Sequence, residues 1–143
     1  MSLFSFFKKP QTDLSKLDPT KIQFKEKDDP QILSAKIEAQ SKINAFIDAL
    51  QTLDIPPDTY FSVKTPFEED GIVEHMWVDI TSYKDGVFVG TLGNDPEFIK
   101  KLKLGDPISV QRSDVEDWLV YNSVDKKHIG GFSFKAFGVD IPN

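Results

Sequence analysis

Apolar side chains recur at steps of three and four along the first third of the chain: Ile32, Ala35, Ala39, Ile43, Phe46, Leu50 and Leu53. That spacing lines one face of a helix and predicts a long amphipathic helix through "DDPQILSAKIEAQSKINAFIDALQTL". Asp28 and Asp29 place carboxylates at the N-cap, and Pro30 takes the first helical position, where an N–H would have no partner. Pro56-Pro57 ends the pattern.

Beyond Asp58 the period drops to two. "TYFSVKTPF" and "IVEHMWVDIT" read as strands joined through "EEDG", and "VFVGTL" returns after the hairpin turn Asp85-Gly86. Asp95-Pro96 repeats the cap-and-proline signature and predicts a short second helix over "PEFIKKLKL", closed by Gly105. "PISVQ", "WLVYN" and "GGFSFKAF" are the remaining expected strands, with "SVDKKHI" as a polar loop and "SDVED" as a turn carrying Ser113 and Glu116 at capping-box spacing. The whole predicts an α+β fold: a long N-terminal amphipathic helix on a mostly antiparallel, strongly bent sheet, with a second short helix. Residues 1–27 are polar after the first few, carry Pro10 and Pro19, and read as a flexible tail and tether; residues 28–143 read as a single domain.

Charge narrows the partners. The net charge is −6 and the longest basic runs are pairs such as Lys100-Lys101, so no basic stripe exists to track a phosphate backbone. Nucleic acid is not expected; a basic protein partner is. With no cysteine there is no disulfide, thiolate metal site or cysteine nucleophile. Nothing predicts a cofactor, and no stretch approaches transmembrane length, so the expected location is the cytoplasm. In "MSLFSFFKK", Leu3, Phe4 and Phe7 share one face of a helical turn, a surface for docking on the domain, on a partner or on a membrane.

Candidate chemistry centres on "IVEHMWVDI". Strand alternation puts Ile72, Glu74, Met76, Val78 and Ile80 on one face and Val73, His75, Trp77 and Asp79 on the other. Glu74 therefore cannot serve as the acid–base helper of His75. His75 and Trp77 are either core residues beneath the helix or a patch for a ligand or partner to stack on. Asn94, Asp117 and Trp118 join them as candidate binding residues, with His128 added in the alternative of an assembled small-ligand or hydrolytic pocket. No catalytic residue is assigned. Two isolated histidines and no thiol predict no metal site. Asp117-Trp118 also reads structurally, as an anchor for a loop with a buried indole N–H that needs a partner.

The order "DDPQILSAKIEAQ", "FSVKTPF", "EHMWVDI", "FVGTLGNDP", "LGDPISV", "VEDWLVY", "GGFSF" resembles the bacterial domain of unknown function found in YegJ-like proteins, over about Asp28 to Phe137. The resemblance implies a small bacterial domain and brings no catalytic residues with it. The positions matching its recurrent motifs are Glu74, His75, Trp77, Gly90, Asn94, Pro96, Gly105, Asp106, Asp117, Trp118, Gly130 and Gly131. Several are turn and capping types, which fit a fold signature as readily as a site. The expected function is a non-catalytic binding module for a protein, of which immunity-type neutralisation of a basic partner is one form.

Overall fold

The computed structural model describes residues 30–136. The Asp28–Asp29 cap, the tether and the segment bearing Leu3, Phe4 and Phe7 lie outside the described residues. The fold is α+β. Helices α1 (Pro30–Ser41) and α2 (Ile43–Gln51) precede strands β1 (Thr59–Glu69), β2 (Ile72–Lys84), β3 (Val87–Leu92), β4 (Pro107–Gln111), β5 (Asp117–Asn122) and β6 (His128–Gly130), and α3 (Phe132–Ala136) follows. The strands form one antiparallel sheet in the order β4-β3-β2-β1-β5-β6.

The expected long helix is two helices with a break at Lys42, whose φ of −112° leaves the helical range. Ser41 Oγ donates to the carbonyl of Glu38 at 2.8 Å, a side-chain bond that competes with the backbone ladder there. The buried stripe crosses the break: Ile32, Ala35, Ala39, Ile43, Phe46 and Ile47 are all buried. Leu53 lies past the end of α2 and is 99% exposed, so it does not belong to the stripe. Phe46 packs at 5.4–5.9 Å, centroid to centroid, against Phe61, Phe88 and Trp118. With Val63, Met76, Val78 and Ile80, these side chains make the core between the helices and one sheet face.

The β1–β2 and β2–β3 turns use consecutive residues at positive φ, Asp70-Gly71 and Asp85-Gly86, which suits the twist of two-residue connections. A register shift between Ile80 and Ser82 places a bulge in β2. Gly90 lies opposite Ile80, where a β-carbon would stand 1.8 Å from the carbonyl oxygen of Asp79.

Beyond the broken helix, two segments differ from the sequence reading. The segment after Pro96 is not helical. The amides of Glu97, Phe98 and Ile99 donate to the Glu74 carboxylate at 2.9–3.0 Å, and those of Lys100 and Lys101 to Glu69 at 2.9 Å. Carboxylates from the β1–β2 hairpin thus replace the partners that a continuing helix would supply. At the C-terminal side, β6 is His128–Gly130, the end of the expected loop and the first residue of the expected strand, and "FSFKA" is the helix α3. Gly130 and Gly131, at φ +88° and +74°, turn the chain out of β6 into α3 rather than into a strand.

Candidate functional site

Alternation along β2 holds through its first half. Met76 and Val78 face the helices, while His75 and Trp77 face the opposite side, by their register with Pro66 and Lys64. Trp77 is buried by α3, whose Phe134 ring lies parallel to the indole at a centroid distance of 5.4 Å and 6° between planes. It is not an open stacking patch.

Glu74 points away from His75 and is spent on the amides of residues 97–99. His75 nonetheless meets a carboxylate: Glu116, immediately before β5, places Oε1 2.7 Å from His75 Nδ1. Both side chains are largely covered, at 13% and 16% exposure. The Glu116 amide donates to the carbonyl of Lys64 at 2.8 Å, the residue already paired with Asp117, so residues 116 and 117 share one partner and the regular β1–β5 register ends there. The capping-box role expected of Ser113 and Glu116 is not realised, since the 3-10 turn Arg112–Asp114 has no side-chain cap. A carboxylate 41 residues away leaves no mark in local spacing.

Asn94 acts on backbone. Its Oδ1 accepts from the amide of Trp77, and the neighbouring Gly93 amide donates to the Trp77 carbonyl at 2.9 Å. The end of β3 is thereby pinned to β2.

Asp117 is fully buried on the same sheet face as Trp77, with Lys64 between them in register. One carboxylate oxygen accepts from the amides of Trp118 at 2.8 Å and Phe132 at 3.0 Å; the other accepts from the Ser133 amide at 2.9 Å and the Ser133 hydroxyl. It caps the first turn of α3. Burial pushes its carboxyl above the ordinary range, against the Ser133 donors, the Lys64 charge and the Phe132 amide, which all favour the ionised form. Trp118 faces the other way, into the core. Its Nε1 donates to the Ala39 carbonyl at 2.9 Å and Phe132 meets its ring edge-on. Lys64, Ser133 and Phe134 complete this constellation without standing out in sequence, whereas Glu116 stands out there only as a capping residue.

His128 stands across from Tyr121 at the far side of the sheet. By register it lies several residues and three strands from His75, so one pocket does not gather the two. Among the described residues no group of three His, Asp or Glu side chains is placed to hold a metal ion. No described helix is long and apolar enough to cross a membrane.

The model of the family described as "Uncharacterized protein conserved in bacteria (DUF2314)" matches residues 29–142. The chain belongs to this family. It is similar to "Uncharacterized protein YegJ" of Escherichia coli, at 31% identity over 115 residues, covering 80% of this chain and 72% of that one. It is also similar to "Putative ankyrin repeat protein NMB1133/NMB1171" of Neisseria meningitidis, at 38% identity over 80 residues, which are 52% of this chain and 30% of that protein. No solved structure matches. Within this family domain the motif positions Glu74, Gly90, Asn94, Asp117, Trp118 and Gly130 are all occupied with backbone contacts or close approaches that hold the fold.

Proposed function

We propose that the chain is a non-catalytic, cytoplasmic protein-binding module that takes a basic partner at the acidic end of its sheet. The exposed carboxylates of Glu68 and Asp70 stand at the β1–β2 hairpin tip, and those of Asp95 and Glu97 lie in the segment that Glu69 and Glu74 tie to it, against Lys100 and Lys101. That excess of exposed negative charge carries the reading: such a surface speeds capture of a positive one and lets it dock without exposing a greasy face. The polar groups of Glu74, Asn94 and Asp117 are committed to backbone amides, which leaves them little to offer a substrate. A relative named for ankyrin repeats, an architecture that presents binding surfaces, adds support. Neutralisation of a basic protein, in the manner of an immunity protein, is the form of binding this charge suits.

The test is capture of partners from the native host followed by reconstitution with the purified partner, comparing the wild type with Glu68→Lys/Asp70→Lys. The partner is expected to be basic, and affinity to fall about tenfold or more in the variant and at high salt. Equal binding by both chains would overturn the reading.

One observation favours a small-molecule-binding or hydrolytic site instead: a carboxylate at 2.7 Å orients the His75 imidazole, as acid–base chemistry requires. On that reading a metabolite library contains a compound that raises the melting temperature of the wild type and leaves His75→Gln unchanged.

A further inference from the structure

The two edges of the sheet are not alike. β6 is three residues long, is followed by a glycine hook, and is preceded by Lys126 and Lys127, the features that discourage a further strand. β4, "PISVQ", carries no charge, and Pro107, Ser109 and Gln111 are exposed. Among the described residues nothing pairs with its outer side.

Hydrogen bonds at its two ends define which groups that outer side offers. Leu92 N donates to Asp106 O at 2.8 Å and Arg112 N to Gly86 O at 2.9 Å, so the even-numbered residues 106 to 112 direct their backbone groups at β3. In an antiparallel ladder the odd-numbered ones then point outward. Pro107 presents a carbonyl, while Ser109 and Gln111 each present a carbonyl and an amide.

We infer that this edge pairs with the same edge of a second copy, antiparallel about a two-fold axis at Ser109. In that register Ser109 exchanges two hydrogen bonds with its counterpart, and each Gln111 amide donates to the opposite Pro107 carbonyl. The missing Pro107 amide costs one bond per strand. The flanking residues match: Asp106 stands opposite Arg112 of the other copy on the helix-bearing face, and the reverse pair repeats it. Opposite charges at both ends of an uncharged strand make the edge complementary to itself, which an arbitrary strand would not be. Two six-stranded sheets become one.

The chain contains no cysteine, so an introduced one reports its own position. Ser109→Cys should form a disulfide dimer under mild oxidation, because directly opposed residues have Cα atoms about 5.5 Å apart, within disulfide range. Gln111→Cys should not, since the two copies of residue 111 lie on the order of 13 Å apart. Sedimentation equilibrium of the full wild-type chain should show a monomer–dimer equilibrium. Ser109→Lys, which sets two ammonium groups face to face at an exposed position, should weaken it about tenfold or more at low salt. Circular dichroism serves to show that each variant is folded. A wild type monomeric at all concentrations, a dimer unaffected by Ser109→Lys, or cross-linking as efficient at 111 as at 109 would overturn the inference.

Discussion

A β-carbon on Gly130 would come 2.3 Å from the Trp118 carbonyl oxygen and 2.6 Å from its ring, with φ at +88°. Gly71 has a similar φ of +81° and open space around it. Alanine at 71 should therefore cost only the backbone strain, about 1 kcal/mol, whereas alanine at 130 adds a collision with backbone and should cost about 3 kcal/mol. Urea titration of the two variants separates the terms; equal losses would show that φ alone matters at Gly130. The same scale shows what sequence conveys. Opposed directions for Glu74 and His75 follow from strand alternation and are found. The carboxylate that does meet His75, Glu116, belongs to another strand, and a tertiary pair leaves no local pattern. For Trp118 the need for an indole acceptor is legible, but its being Ala39 depends on how α1 lies across the sheet.

Among elements, α3 shows why short segments mislead. "GGFSFKA" alternates apolar and polar residues, which favours a strand, yet the segment is helical because Asp117 supplies acceptors for its first amides and two glycines at positive φ aim it. The apolar positions survive the change of period, with Phe132 against Trp118 and Phe134 against Trp77. Asp117→Asn puts an amide NH₂ where donors already converge and should cost about 2 kcal/mol near neutral pH. The folded protein raises the Asp117 carboxyl above its free value of 3.8 by burying it. It therefore holds the proton more tightly than the unfolded chain, and this group's contribution is complete below that value and declines as pH rises through the folded one. The stability gap between wild type and Asp117→Asn should accordingly be wider near pH 4 than near pH 7 in denaturant titrations. A gap that widens toward neutrality would mean that the four donors outweigh desolvation. Longer elements are read more safely: the residues of β1, β2, β3 and β4 coincide closely with the predicted runs, and Asp-Gly pairs write the two turns that join the first three.

For the molecule as a whole, the α+β class and the single sheet backed by helices are visible in the change of period near Asp58. The face that the helices leave is not, since a sheet has two sides and the helical stripe can cover only one. Trp77 is not open to solvent on that face but stacked under Phe134 of α3. Residues 94–106 are the other lesson in scale. They hold no regular element in the described structure, yet five successive amides, from Glu97 to Lys101, end on two carboxylates of the neighbouring hairpin. Amide hydrogens there will be traded with solvent on the schedule of the strands rather than that of a surface connection, and a protease searching for slack chain will find this irregular stretch as taut as the sheet beside it.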